Sequence, residues 1–442
     1  MIQVHSQYID KESRDWRFFG VPLVVLIFFA SMMLPTSASL NLGGLRLSPF
    51  RIVLIIMFAP MLYMLMTGKR GKLNVFDALV LGHAVWAMLA LVNWGGLKQG
   101  LESGGIYTIE FAGAYLLGRL YIRSLEDFEA FAQAYVAVVV GLLIFTIPEA
   151  LSAVHFLHDT FASLFGGPRA HHIDPRMGLE RAFGPFDHPI LYGVFSASAF
   201  SMAYFVVAQR RLLNIKQMLK VFGVLVATFV SASGGPYTVL IMQVLLIGWE
   251  RIFEGLSGRW TALFSIFGVA YFAIDIFSNR TPFHVFVTYL TFSAQSAYNR
   301  INIWIYGTAE VYRNPLLGIG LGDWIRAPWM SDSMDNFWLL TAVRYGLPAL
   351  IMLLILLIGL IYAVAQVKAV SKKWVNARHA WAFTLFGITV AAATVHLWNS
   401  MFVLFMFLIG SGVWFYDSDS RLQPKNYKRH PKICSPQRKT LF

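Results

Sequence analysis

The sequence predicts an all-α protein that crosses a membrane many times. The chain has 442 residues, of which 57% are hydrophobic and 13% charged, and its mean hydropathy is +0.59. Runs such as 21–34 and 347–364 contain no charged residue. Soluble domains do not have this composition, whereas helical membrane proteins do. An aromatic content of 15% agrees with this class, because Trp and Tyr favour membrane interfaces.

A helix needs about 20 apolar residues to cross the hydrocarbon core, and about 12 segments of the chain fit that requirement. The predicted spans are 18–34, 49–66, 75–93, 104–121, 128–148, 189–208, 218–232, 236–253, 260–277, 336–366, 379–396 and 399–416. The segment 336–366 is too long for one perpendicular span, so we expect it to tilt or to protrude from the membrane.

Basic residues predict the orientation of these spans. Lysines and arginines cluster in alternate short loops, and all of these loops share one side if the N-terminus is cytoplasmic. The basic tail 417–442 then also lies inside, after a single membrane domain over 1–416. Two long loops, 149–188 and 278–335, face outward. In a bacterium this arrangement corresponds to the inner membrane, with both termini in the cytoplasm and both loops in the periplasm.

The net charge of +13 does not indicate nucleic-acid binding. The basic residues are scattered among short loops and the tail, so the lipid bilayer and its anionic headgroups account for most of them. The only cysteine, Cys434, excludes a disulfide within the chain and a cysteine-based metal site. The N-terminus does not resemble a cleavable signal peptide.

The outer loops carry the candidate functional residues. Arginine there runs against the usual excess of basic residues on the cytoplasmic side, and its planar fork of donors fits phosphate oxygens. Arg181 and Arg300 lie in patterned segments and are predicted to bind a lipid diphosphate; the alternative is that they cap helices or are solvated. Further candidates for substrate binding are Arg176, His188, Trp304, Arg326 and Arg344.

Asp335 and Asn336 lie at the entry to the predicted span 336–366. Asp335 either caps the N-terminus of that helix or acts as a general base that removes a proton from a sugar hydroxyl. Nearby tryptophans, including Trp338, suit stacking on sugar rings but equally suit anchoring at the membrane interface. Asn336 and Trp338 are therefore also candidates for substrate binding.

Two further motifs leave alternatives open. The segment 231–236, Ser-Ala-Ser-Gly-Gly-Pro, joins two predicted spans. It forms either a tight helical hairpin or a cluster of backbone N–H groups near the diphosphate. His171 and His172 with Asp174 are ligand-type residues, but adjacent histidines point in different directions and no second cluster matches them. We therefore predict no metal site and no cofactor.

Four segments, in this order, resemble the O-antigen ligase and Wzy-type polysaccharide polymerase superfamily. The segment 181–190 looks like its Arg-x-x-Gly-x-Phe-x-x-Pro stretch, and 231–236 looks like its Ser-x-Ser-x-Gly-Pro hairpin. The segment 300–320 resembles the Arg…Trp…Pro-x-x-Gly-x-Gly part of the large periplasmic loop. The segment that begins Asp335-Asn-Phe-Trp-Leu-Leu resembles the closing His-Asn-x-x-Leu segment. The likeness extends over most of the chain.

The resemblance implies a glycosyltransferase that joins undecaprenyl-diphosphate-linked oligosaccharide repeat units into exopolysaccharide or O-antigen at the periplasmic face. In that reaction the lipid diphosphate both activates the donor sugar and is the leaving group, so neither nucleotide nor metal is needed. A chain-length regulator and export proteins are further partners that the resemblance suggests. In this reading Asp335, Arg300 and Arg181 carry the catalysis.

The sequence departs from the family at two positions. Asp335 stands where the ligases have a histidine that is implicated in activating the acceptor, which favours the polymerase branch over a ligase that transfers glycan to a lipid or another acceptor. The hairpin arginine is also missing, with Gly234 in that region, so Arg326 is a candidate for the lost phosphate contact.

Two other classes remain open. A transporter of a small anion or of lipid-linked sugar needs charges in mid-membrane and broken helices. Glu110 and Arg119 are the charges well inside a predicted span, with Arg119 near its end. A structural partner in an export complex is the other class. The polar residues of the outer loops favour chemistry at the membrane surface.

Overall fold

The computed structural model describes residues 15–42, 45–166, 173–210, 214–290 and 294–422. This part of the chain is mostly helical, as the sequence predicts. The helices are α1 Leu23–Met32, α2 Pro49–Met66, α3 Val75–Thr108, α4 Ala114–Tyr121, α5 Leu125–Ser152, α6 Phe156–Phe165, α7 Pro189–Ser198, α8 Phe200–Met202, α9 Ile215–Phe229, α10 Gly234–Ile252, α11 Arg259–Phe277, α12 Pro282–Leu290, α13 Ala294–Arg313, α14 Phe337–Gln366, α15 Lys372–Ala391, α16 Asn399–Gly410 and α17 Val413–Leu422.

Short elements complete the described part of the chain. A 3-10 turn covers Thr36–Ala38, and π-helical turns cover Ile109–Gly113 and Ala203–Val207. Two small antiparallel hairpins pair β1 Arg17–Phe18 with β2 Val21–Pro22 and β3 Leu40–Leu42 with β4 Leu45–Leu47. These strands are the departures from the predicted all-α class.

Seven helical stretches in the described ranges are long and apolar enough to cross a membrane. They are Pro49–Met66, Val75–Tyr121, Leu125–Ser152, Pro189–Val207, Arg259–Phe277, Phe337–Gln366 and Asn399–Asp417. This finding agrees with a polytopic helical membrane protein. Each predicted span overlaps a helix, but the count of 12 crossings stays a prediction.

The stretch Val75–Tyr121 is a helical hairpin rather than one long helix. The backbone leaves the helical conformation at Gly96, where φ is 73°. Beyond this turn the chain packs back against the first arm, since a Cβ on Gly104 would lie 2.4 Å from the sulfur of Met88. A hydrogen bond of 2.7 Å also joins His83 Nε2 to the hydroxyl of Tyr107. The two arms correspond to the separately predicted spans 75–93 and 104–121.

The two outer segments are more ordered than the sequence suggests. The outer loop predicted over 278–335 contains regular structure, because α12 and α13 occupy most of its first half. One face of α13 is buried, and Gly307 on that face packs closely against Leu339 of α14. The first outer segment likewise contains α6.

Helix α14 is interrupted at Gly346, where φ is 81°. The break exposes the carbonyls of Val343 and Arg344, which accept hydrogen bonds of 2.8 and 2.9 Å from the N–H groups of Ile319 and Gly320. A Cβ on Gly346 would lie 1.8 Å from a carbonyl oxygen of this docked loop. The predicted overlong span is therefore two helical pieces joined at a break, and the glycine-rich loop fills that break.

Helix α16 forms the centre of the bundle and is buried from Ser400 to Gly410. It packs against α4 through glycines: a Cβ on Gly410 would lie 2.0 Å from the carbonyl oxygen of Tyr115, and one on Gly118 would lie 2.2 Å from that of Phe407. Small residues allow this close approach of two backbones.

Candidate functional site

Three arginines from two segments of the chain interact electrostatically on the side of the two predicted outer loops. Arg176 and Arg181 belong to the first loop and Arg300 belongs to α13. The positive charge of Arg176 acts on both of the others. Burial, followed by the charge of Arg176, lowers the pKa of Arg181 to about 10. We call these three residues the arginine cluster.

Arg181 is held by the hairpin 231–236. Its Nη2 donates a hydrogen bond of 2.8 Å to Ser233 Oγ, which in turn donates one of 2.7 Å to the carbonyl of Ser231. The Arg181 side chain is buried, and its Nε has no hydrogen-bond partner among the described residues. A buried donor without a partner is costly. An oxyanion bound beside the hairpin would relieve that cost.

Arg300 is fixed by two backbone carbonyls. Its Nε donates to Thr394 at 3.0 Å and its Nη1 donates to Ser296 at 3.3 Å. Asp335 lies in the electrostatic field of Arg300. Burial raises the pKa of the Asp335 carboxyl, and the positive charge of Arg300 opposes that rise. The arrangement brings the Asp335 carboxylate beside Arg300 of the arginine cluster, and a second carboxylate, that of Asp174, acts on Arg181.

Asn336, not Asp335, caps helix α14. Its Oδ1 accepts a hydrogen bond of 3.0 Å from the N–H of Leu339, and its side chain is buried. The capping alternative for Asp335 is therefore wrong, because the adjacent residue fills that position. The Asp335 side chain makes no hydrogen bond in the described part of the chain, so it is available to a ligand.

Three other predicted residues make structural contacts outside the arginine cluster. Trp338 Nε1 donates to the carbonyl of Thr389 at 3.0 Å. His188 Nδ1 accepts from the N–H of Ile190 at 3.1 Å and caps α7. Trp304 stacks on Phe283 with ring centroids 4.4 Å apart. Substrate binding by these residues and by Asn336 stays a prediction.

Arg344 and Arg326 lie in a second depression, which we call the polar cleft. Its outer part has a volume of about 530 Å³ and its inner part about 130 Å³. Both parts are lined by Arg344, His396 and Leu340, so the two parts adjoin. Arg326 is paired with Asp323 and lies over the ring of Trp324 at the outer wall.

The segment 392–398 connects the two sites, and the sequence did not reveal it. Helix α15 ends at Ala391, so the predicted span 379–396 is wrong over its last residues. The carbonyl of Thr394 accepts from Arg300, whereas the ring of His396 lines the polar cleft. The available signal was the alternation of polar Thr394 and His396 with apolar neighbours, which does not fit a lipid-facing helix.

A chain of polar contacts joins the first outer motif to the inner wall of the cleft. Asn399 Nδ2 donates to Asp187 at 2.7 Å, and Asn399 Oδ1 accepts from Arg51 at 3.3 Å. Arg51 Nε donates to Glu110 at 2.6 Å. Sequence reasoning identified neither Arg51 nor Asp187, because the partners are far apart in the chain.

An apolar groove between α9 and α10 ends near the arginine cluster. It has a volume of about 570 Å³ and is lined by Phe222, Leu225, Val226, Phe229, Tyr237, Leu240 and Ile241. Phe222 is 59% exposed and Phe229 is 50% exposed. Tyr237, at one end, interacts electrostatically with Arg181. An aliphatic chain in this groove would place its head at Arg181.

The described residues contain no group of three or more histidine, cysteine or acidic side chains that could hold a metal. His171 and His172 lie outside those residues. Searches among models of known protein families and among curated proteins found no match to this chain.

Proposed function

We propose that the protein is a polysaccharide polymerase, a glycosyltransferase that joins lipid-diphosphate-linked oligosaccharide repeat units on the outer face of the bacterial inner membrane. One observation carries the proposal. The segments that resemble the polymerase and ligase superfamily are far apart in sequence, yet Arg181 bonds to Ser233, Arg300 interacts with Asp335, and Arg176 interacts with both arginines.

The arginine cluster suits the diphosphate of the donor lipid. Negative charge grows on that diphosphate as its bond to the sugar breaks, and fixed cations stabilise the growing charge. Arg181 offers the unpartnered Nε. The groove beside Tyr237 suits the polyprenyl tail, because its lining is apolar and it opens between two helices.

Asp335 suits the role of general base in this reaction. The acceptor hydroxyl attacks the anomeric carbon of the donor sugar, and the carboxylate takes the proton. The bond between the anomeric carbon and the diphosphate breaks, and the diphosphate leaves with the electron pair. Since Asn336 caps the helix, Asp335 is not needed as its cap.

The rival transporter function draws less support. Its sequence argument rests on Glu110 and Arg119 inside predicted spans. Arg119 makes ion pairs with Asp77 at 3.3 Å and Asp417 at 2.8 Å, and Glu110 is paired with Arg51 at 2.6 Å. Paired charges of this kind hold helices together, so they do not require a transported ion.

The decisive experiment supplies purified protein in lipid nanodiscs with undecaprenyl-diphosphate-linked repeat units. We expect a ladder of longer glycans, lost in Arg300→Ala and retained in Arg280→Gln, a matched change at an exposed arginine of the same outer region. A single transferred unit on an added lipid acceptor, without a ladder, would identify a ligase. No glycan transfer to any acceptor would contradict the proposal.

A further inference from the structure

The polar cleft is separate from the arginine cluster but shares a wall with it. Met334 lines the cleft, and the next residue, Asp335, faces Arg300. On the neighbouring segment, the Thr394 carbonyl accepts from Arg300 while the His396 ring lines the cleft. The cleft and the arginine cluster are therefore connected through residues 334–335 and through the segment 394–396.

In the described part of the chain, two polar side chains of the cleft have no charged partner. No carboxylate of that part lies within ion-pair distance of the Arg344 guanidinium, which makes a hydrogen bond with the Tyr345 side chain. Glu110, across the inner part, is already paired with Arg51. The His396 ring makes no hydrogen bond among the described residues and lies tilted against the ring of Trp398, with centroids 5.3 Å apart.

The His396 ring is neutral at physiological pH. Burial, followed by the positive charge of Arg344, lowers the pKa of His396 to about 3. A neutral imidazole has one donor and one acceptor nitrogen, which is the pattern that pairs with a sugar hydroxyl. Beside it, Arg344 offers a planar fork of donors.

The outer wall adds fixed polar groups. Trp324 is buried, its Nε1 donates to the carbonyl of Asp332 at 3.0 Å, and the Arg326 guanidinium lies over its ring. The outer volume of about 530 Å³ falls within the range of roughly 300–1,000 Å³ that is usual for small-molecule sites. A space of this size with convergent hydrogen-bonding groups is suited to a saccharide.

We propose that the polar cleft binds the oligosaccharide of the acceptor, with Arg344 and His396 as its principal hydrogen-bonding residues. The assignment of the bound saccharide as the acceptor rests on the proposed function. Saccharide binding itself can be tested without turnover. Binding in the cleft would hold the acceptor close to Asp335, because Met334, which lines the cleft, immediately precedes Asp335 in the chain.

The test uses lipid-free oligosaccharides made by partial acid hydrolysis of the host cell's own surface polysaccharide. Binding to the purified full-length protein in nanodiscs is followed by saturation-transfer NMR and by tryptophan fluorescence. We expect binding by the wild type, and a loss of affinity of at least about 10-fold in Arg344→Gln and in His396→Gln. Arg280→Gln should bind like the wild type.

A further variant distinguishes a loss of binding from a loss of folding. Ser333 is exposed at the rim of the cleft, so Ser333→Leu adds bulk there without disturbing the core. It should weaken binding while the thermal unfolding midpoint stays unchanged. Absence of binding by the wild type at millimolar oligosaccharide, or full binding by all three cleft variants, would overturn the proposal.

The outcomes also separate this inference from the proposed function. Oligosaccharide binding that depends on Arg344 and His396, without a glycan ladder, would support the cleft and contradict the polymerase. A ladder that depends on Arg300 but is unchanged in Arg344→Gln and His396→Gln would support the polymerase and overturn the cleft.

Discussion

The Nε of Arg300 donates a hydrogen bond of 3.0 Å to the backbone carbonyl of Thr394, 94 residues further along the chain. This contact holds α13 against the non-helical segment that follows α15. It also fixes the guanidinium close to Asp335 and Arg176, because the side chain is anchored at its Nε. The geometry of the arginine cluster therefore depends on a segment that local sequence patterns assign to a membrane helix.

The first prediction concerns Asp335. Asp335→Asn should lower polymerisation by about 100-fold or more, in line with the usual contribution of a general base. The protein should fold and insert normally, because Asn336 remains as the cap of α14. Initial rates of ladder formation and thermal unfolding measure the two effects.

Asn336→Ala provides the opposite control. It removes the cap and should cost about 1 kcal/mol of stability. If Asp335→Asn keeps full activity, the carboxylate is not the base.

The pH dependence of the reaction follows from the same carboxyl group. Burial raises the pKa of Asp335 above its ordinary value of 3.8, with Arg300 opposing. A base acts when it is deprotonated, so activity should be lost as the pH falls through this raised pKa. The acidic limb of the kcat profile should thus lie above pH 3.8, and the residual activity of Asp335→Asn should lack that limb. A limb at or below 3.8 would contradict the assignment.

Arg181 and Arg300 should be needed for binding the lipid diphosphate. Arg→Ala at either position should abolish polymer while leaving membrane insertion intact. Arg→Lys should recover activity only in part, because a point charge does not reproduce the two-pronged contact of arginine with phosphate. Native mass spectrometry with undecaprenyl diphosphate measures binding directly, with Arg280→Gln as the matched control. Unchanged binding in Arg300→Ala would remove Arg300 from the site.

The apolar groove should select for long lipid tails. Leu240→Trp places a larger side chain in the groove between α9 and α10. We expect KM to rise several-fold for a donor with a full undecaprenyl tail, with a smaller effect for a donor with a short prenyl tail. Steady-state kinetics with both donors provide the comparison. An equal effect on the two donors would show that the tail lies elsewhere.

Topology can be tested in intact cells. Ser163 and Ser331 lie in the predicted outer segments, and both are exposed. Cysteines at these positions should react with a membrane-impermeant thiol reagent, whereas Cys434 in the predicted cytoplasmic tail should not. The reverse labelling pattern would contradict the proposed orientation.

Much of the helical arrangement follows from the sequence, because long apolar runs leave few alternatives. The helices at Pro49–Met66 and Leu125–Ser152 overlap the predicted spans closely, and Gly96 turns the predicted hairpin between 75–93 and 104–121. The sequence also predicts Arg181 and Arg300 as site residues, because arginines in predicted outer loops run against the positive-inside bias, and Asp335 because it stands at the start of the predicted span 336–366.

Tertiary contacts explain what the sequence left undetermined. Asp335 and Asn336 are equally suited to a cap, and only the backbone position of α14 decides between them. The segment 392–398 has an apolar average, yet its carbonyls bond to Arg300 and to the N–H of Phe337 instead of continuing α15. Averaged hydropathy contains no information about such partners.

The break at Gly346 has a mechanical consequence. Residues 337–345 are held by the loop that docks into the break, while 347–366 form a separate helical rod in the bilayer. A transmembrane helix accommodates changes in bilayer thickness by tilting. The docked loop also bonds to this second piece, since the N–H of Leu347 donates to the carbonyl of Pro315 at 2.7 Å. The loop therefore bridges the two pieces, and tilting of the second piece is passed to the loop as well as to the piece that carries Arg344.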